Sequence, residues 1–372
     1  MHKHSRIILI IVGILVVVGA VWYVTRPRES GTYKIGWIGP LTGPSAVLGM
    51  DSSKAVELAV KEANDNGGIG GKKIEAIFED DEYLPRNTVT AYQKLVSVDH
   101  VNAVLAVTYG GMFAIADQAQ KDGVVVINPL DCNDQIAALN DNIFCIATES
   151  ESIGIAIAED LNAQNIRSAG VLYSTKDEFM SVVANAFKKH YQSLGGAAIE
   201  ESYVYSNPDF RTQLTKLNEA HPGALVLLGH DEIGNAMKQA RDLGMTAKFW
   251  SLGTVTSPGL QGNAKGYAEG TRFAFWEPTS STLVDAFNTN YQAFAGRLPI
   301  LALTAYPAYD SANVLIEAFK QNSGSAPDIM KYLYALKNHA GTSGNITIGS
   351  DGSARFKEVI YILKDGKPVR AK

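Results

Sequence analysis

The sequence predicts an α/β protein of two doubly wound lobes in series, preceded by an N-terminal hydrophobic helix. Three observations carry this reading. From Lys34 onward, short β-type runs alternate with segments of helical period, the pattern of parallel sheets covered by helices. Five such runs precede about residue 148 and a comparable set follows it, which suggests two similar units. At 372 residues and 46 % apolar content, the chain exceeds what one hydrophobic core usually holds.

Taken in order, Ile7 to Val24 is an uncharged apolar stretch preceded by Lys3 and Arg6, just long enough to cross a bilayer. Trp22 and Tyr23 sit where interfacial aromatics belong. The stretch reads as an uncleaved membrane anchor, with a cleaved signal peptide as the alternative because Val18-Gly19-Ala20 offers small residues for cleavage. No cysteine follows it, which argues against a lipid anchor. Either fate exports residues 31 to 372 to the periplasm or the outer face of the cytoplasmic membrane.

In the exported body, strand runs are expected at 35–40, 73–80, 101–107, 123–128 and 142–148, then at 168–174, 198–205, 224–229, 248–253 and 271–277. Between the first two, Val56, Ala59, Val60 and Ala63 share one helical face, and Asn66-Gly67-Gly68 stops that helix. Later faces are Val89, Tyr92 and Val96; Val183, Phe187 and Tyr191; Ile233, Met237 and Ala240; and Val284, Phe287, Tyr291 and Phe294. Large apolar groups at this spacing are core residues.

Charge and motifs then remove whole classes of function. The net charge is −5, of which residues 1 to 30 contribute +3, leaving −8 on the body. An acidic body without a basic stripe is a poor phosphate-backbone platform, so no nucleic-acid partner is expected. Gly67 to Lys72 has the wrong glycine spacing for a phosphate loop and follows a helix, so it reads as a helix stop and turn. GxGxxG, GxSxG and HExxH are absent, and no cofactor is expected. The histidines are scattered and no metal site is expected; Glu79-Asp80-Asp81-Glu82 lacks EF-hand spacing and reads as a solvated strand end.

The segment KIGWIGPLTGPSAVLG at 34–49 closely resembles the opening of the leucine/isoleucine/valine-binding family of type I periplasmic binding proteins. AVKEANDNGGIGGKKIE, DEYLPRNTVTAYQKLV and a helix start at Tyr309-Asp310-Ser311-Ala312 follow in the family's order, from about residue 32 to the end. The resemblance implies two lobes joined by three crossings with a ligand cleft between them. Lobe one would be 32–148 plus 278–340, and lobe two 149–277 plus 341–372. It also implies a non-enzymatic solute-binding protein that closes on a small polar ligand, such as an amino acid or amide, and delivers it to an ABC permease. A membrane-tethered sensor acting through a partner protein is the alternative.

Ligand-facing positions are then the residues just after strands. In lobe one these are Thr42, Ser45, Ala46 and Leu48; Tyr109, Gly110 and Gly111, with Thr108 before them; and Leu130, Asp131 and Cys132. In lobe two they are Phe179; His230 and Asp231; and Gly253 and Thr254, with Trp276 and Glu277 beside a hinge. Gly110 and Gly111 suit a carboxylate held by backbone N–H groups, and Tyr109 suits stacking.

Two departures from the family bear on the ligand. Asp131 and Cys132 stand where amino-acid receptors carry small and hydroxyl residues, and Gly253-Thr254 stands where an acid for the ligand ammonium is expected. Both argue against a standard branched-chain amino acid. Asp131 either recognises a ligand amine or amide, with Asp231, or caps the following helix. Cys132 and Cys145, thirteen residues apart in an exported chain, are expected to pair as a disulfide, with a buried free Cys145 as the alternative. For an exported hydrolase, Cys132 with His230 is the one nucleophile and base pair worth testing.

Overall fold

A computed structural model describes residues 31–204, 208–276, 281–321, 324–356 and 358–371. The hydrophobic helix expected before residue 31 lies outside the described residues, as does Glu277.

The first sheet grows from β1 (Tyr33–Gly39), α1 (Val47–Asp65), β2 (Ile74–Asp80), α2 (Pro85–Ser97), β3 (Ala103–Ala106), α3 (Tyr109–Asp122) and β4 (Val125–Asn128). The two-residue β5 (Asp131–Cys132), the short α4 (Asp134–Ala137) and β6 (Ile143–Glu149) follow. All its pairings are parallel, and β2, β1, β3, β4 and β6 lie side by side in that order. Strand β3 is buried at all four positions because helices cover both faces.

The second sheet repeats the plan with α5 (Ser150–Ala163), β7 (Ser168–Ser174), α6 (Glu178–Ser193), β8 (Ala197–Tyr203), α7 (Arg211–Glu219) and β9 (Ala224–Leu228). Next come α8 (Ile233–Asp242), β10 (Lys248–Leu252), a 3-10 turn at Gly253–Thr256, α9 (Pro258–Ala264) and β11 (Arg272–Trp276). Its order, β8, β7, β9, β10, β11, matches the first sheet's. Each lobe therefore reverses winding between its first and third strands, where such sheets open a crevice.

The chain returns to the first lobe with α10 (Ser281–Ala295), α11 (Ala302–Gln321) and α12 (Ala326–Ala335). Tyr291, Phe287 and the inner face of α11 pack with Val56 and Ala59 of α1 in the first lobe's larger core. A small hairpin of β12 (His339–Ala340) and β13 (Asn345–Ile346) leads to β14 (Ser353–Phe356), which adds to β6, and then β15 (Glu358–Lys364) and β16 (Lys367–Arg370) extend the second sheet beyond β11. The expected return at 340/341 is thus corrected: residues up to Phe356 stay with the first sheet, because the backbone groups of β14 pair with Cys145 to Thr148 of β6. Tyr309 to Ala312, expected to start a helix, lie inside α11, where buried Asp310 accepts the backbone N–H groups of Thr342 and Ser343.

The ten expected strand runs all coincide with strands. Gly68 closes α1 with φ +68°, and a Cβ there would lie 2.1 Å from the Lys72 carbonyl oxygen, so the glycine-rich stretch is a turn that only glycine permits. At the expected solvated strand end, Asp81 is instead buried and accepts the Thr88 hydroxyl and the Tyr83 N–H, which turns the chain into α2. Among the described residues, no helix is long and apolar enough to cross a membrane.

Candidate functional site

The strand ends of the two sheets face each other across a cavity of about 60 Å³. The first lobe contributes Leu48 at the start of α1, Tyr83 after β2, Leu130 and Asp131 after β4, Thr148 on β6 and Leu303 on α11. The second contributes Ile153, Phe179 and Met180, His230, the segment Leu252 to Thr254, and Ala274 to Trp276, with Glu358 at the start of β15. Across the mouth the Tyr83 and His230 rings meet edge-on at 5.9 Å, and Tyr109 meets Phe179 at 6.2 Å. The lobes are therefore closed on one another.

Local chemistry places each polar group. Asn128 accepts the N–H groups of both Leu130 and Asp131 through its Oδ1, which folds the turn after β4. Asn133, not Asp131, caps α4 by accepting the Ile136 N–H. That removes the capping role for Asp131, which is 3 % exposed and whose Oδ2 has no hydrogen-bond partner among the described residues. Burial, with the nearby Asp177 charge, holds its carboxyl well above the ordinary range.

His230 is 2 % exposed and its Nε2 lies 3.0 Å from Asp177 Oδ2. Burial alone would lower its pKa, but the Asp177 hydrogen bond and the Asp177, Glu232 and Asp231 charges outweigh it and raise it. Glu358 is 7 % exposed, and among the described residues neither of its carboxyl oxygens has a partner in hydrogen-bonding geometry. Burial pushes it up to about 8, with the Thr148 hydroxyl close enough to oppose the shift.

Of the residues expected from sequence, Leu48, Leu130, Asp131, Phe179, His230, Gly253 and Thr254 line the cavity. The others do not. Thr42 is exposed and donates to Asp80, while Ser45 and Ala46 lie in the loop leading to α1. Tyr109 is buried with its hydroxyl accepting from Asn133. Gly110 and Gly111 are close-packing positions rather than a carboxylate cradle: a Cβ would lie 2.9 Å from Pro85 and 3.2 Å from the Glu178 carboxylate at Gly110, and 2.5 Å from the Thr88 hydroxyl at Gly111.

Asp231 turns away to accept the Ser257 hydroxyl, so it does not partner Asp131. Cys132 is fully buried and bonded to Cys145, Cα to Cα 5.3 Å. That tie, with His230 engaged by Asp177, dissolves the thiol and imidazole pair considered for hydrolysis.

Sequence reasoning missed Tyr83 and Glu358. Tyr83 also follows a strand, so the same positional rule finds it once the acidic run before it is not dismissed as solvated. Glu358 had one faint signal, a carboxylate opening the otherwise apolar run Val359 to Leu363.

The model of the periplasmic binding protein family matches residues 32–365. Leu/Ile/Val-binding protein homolog 3 of Brucella melitensis is 27 % identical over 357 residues, covering 90 % of this chain and 92 % of its own. The branched-chain amino acid transporter substrate-binding protein LivJ of Streptococcus pneumoniae, solved with isoleucine, superposes with a TM-score of 0.83 at 25 % identity, over 92 % of this chain and 99 % of its own. A solute-binding protein of an ABC transporter from Rhodopseudomonas palustris BisB5, solved with 3,4-dihydroxy benzoic acid, gives 0.77 at 26 % identity, over 92 % and 96 %.

Proposed function

This chain belongs to the periplasmic binding protein family, and from that premise we propose that it captures one small solute in the cleft between its lobes and hands the closed form to an ABC permease. It is an extracytoplasmic binding protein and not an enzyme. The observation that carries the reading is the cavity at the carboxyl ends of both sheets, walled by side chains from each lobe. A solute that touches both walls only when they meet shifts the open and closed equilibrium by that difference in contact, and no covalent step is needed.

The site-forming residues are Leu48, Tyr83, Leu130, Asp131, Phe179, His230, Gly253, Thr254 and Glu358. The test is a thermal-shift screen of the full-length protein against amino acids, amides, polyamines and small carboxylates. A ligand at about a hundred times its dissociation constant is expected to stabilise by about 2.7 kcal/mol. Gly253→Trp is expected to abolish that shift, because even a Cβ at this position lies 2.7 Å from the Phe275 ring and 2.9 Å from Leu303. A shift of unchanged size in a folded Gly253→Trp protein would place the ligand elsewhere.

Residues 7–24 tether this clamp to the membrane in our reading, which rests on their uncharged length and on Trp22 and Tyr23. After alkaline washing, the protein is expected in the membrane pellet. Recovery in the soluble fraction, with a mature N-terminus near residue 20, would show cleavage instead.

A further inference from the structure

We propose that the solute is a small primary ammonium cation without a carboxylate, gripped between Asp131 of the first lobe and Glu358 where the chain enters the second. The inference rests on the cleft being the solute site. Its ground is three acceptor oxygens, Asp131 Oδ2 and both oxygens of Glu358, buried at the edge of one cavity with no partner in hydrogen-bonding geometry among the described residues. Buried polar atoms are almost always satisfied, and once both carboxyls ionise, the three acceptors match the three donors that an ammonium group carries.

The backbone sets the two acids on the two sides of one strand. Asp131 is registered against Thr148 from one side of β6, and Phe356 is registered against the same Thr148 from the other. Glu358 follows two residues later, within reach of the Thr148 hydroxyl.

The remaining walls reject an anion. Among the described residues no lysine or arginine lines the cavity, and its imidazole is already engaged by Asp177. A solute carboxylate would meet two carboxyl groups and, among the described residues, no free counter-ion, at a cost that low-polarity surroundings enlarge. Leu48, Phe179 and Leu303 offer an apolar seat for a short alkyl body, and Phe179 an aromatic face for a cation. The Trp276 Nε1–H, cross-strand from Glu358, also lacks an acceptor among the described residues, which suits a hydroxyl on the same solute.

Among the described residues, the titratable groups facing this space are Asp131, Glu358, Tyr83, and His230 with Asp177 behind it. Because burial pushes Glu358 up to about 8, a cation that needs its charged form binds with release of a proton at pH 7. Its affinity rises about tenfold between pH 7 and pH 9 as the ionised fraction grows.

Titration calorimetry on the full-length protein tests this with isobutylamine, 1-amino-2-propanol, tetramethylammonium and valine, valine being isobutylamine with a carboxylate added. One or both primary amines are expected to bind, valine and tetramethylammonium at least about a hundredfold more weakly. Proton release is expected from the dependence of the heat on buffer at pH 7. Glu358→Gln and Asp131→Asn, both close in shape to the parent, are each expected to weaken the amine at least about tenfold at pH 9.

Valine binding as tightly as isobutylamine overturns the assignment, as does amine affinity unchanged in both variants. A solute of another class that binds while the amines do not overturns it too, and leaves the clamp intact. Failure of every solute in both this panel and the wider screen overturns the cation together with the cleft reading.

Discussion

Glu358→Gln is expected to make the ligand-free protein more stable at pH 8 than the parent, and to flatten the parent's loss of stability with rising pH. Burial pushes the Glu358 carboxyl from 4.5 up to about 8. Between those values the folded chain keeps a proton that the unfolded chain has released, so folding is favoured at the acid end. Stability is lost as pH rises through this window and levels off above it. For a group only 7 % exposed, the shift corresponds to roughly 3–5 kcal/mol, an upper figure because a buried site relaxes when it ionises.

Asp131, also raised, acts in the same direction. So does His230: its ion pair with Asp177 contributes fully below about 6.5 and is lost as pH rises through its raised folded value. The lowered carboxyls Asp80 and Asp351 work the opposite way, but their contribution is complete above the ordinary carboxyl range. Melting curves of parent and Glu358→Gln between pH 5.5 and pH 9 therefore isolate Glu358 by difference, since the other raised groups, Asp81, Glu151, Asp310, Asp131 and His230, are common to both. Parallel curves for parent and variant would mean that Glu358 is not the group that titrates.

The second large effect lies outside the cleft. Asp51, fully buried in α1, accepts the Tyr291 hydroxyl at 2.7 Å, the N–H groups of Ile300 and Leu301 at 2.6 and 2.9 Å, and pairs with Arg297 at 2.7 Å. One carboxylate thus ties the start of the first lobe to the segment that returns to it some 240 residues later. Asp51→Ala leaves a phenol, two amides and a guanidinium without their acceptor and is expected to cost about 3–5 kcal/mol in urea unfolding. Asp51→Asn keeps one acceptor oxygen and is expected to recover part of that. A loss below about 1 kcal/mol for the alanine variant would show that water replaces the carboxylate.

Asp51 and Glu358 mark the same limit of sequence reading. Each is an ordinary-looking acid, one on a helix and one at a strand start, and neither belongs to a motif. Their environments are made by segments far away in the chain: the Ile300 and Leu301 amides for Asp51, and Thr148 with Trp276 for Glu358. Asp131 is the intermediate case. Its position after a strand marked it as a site residue, but the choice between capping and recognition turned on Asn133 taking the cap. Gly110 and Gly111 went the other way, since spacing alone does not distinguish a glycine that receives a ligand from one that receives Pro85 or Thr88.

The alternation of buried runs and helical faces settled the two lobes and all ten core strands in advance, because periodicity is local: a strand such as Ala103–Ala106 or a face such as Val183, Phe187 and Tyr191 carries its burial in its own spacing. The place where the chain last changes sheets, the turning of Asp231 away from the cavity and the burial of Asp131 and Glu358 at one cavity were decided only in three dimensions. They depend on backbone pairing between residues more than two hundred positions apart, such as Thr148 with Phe356, and on which polar groups remain unsatisfied once every nearer partner has been taken.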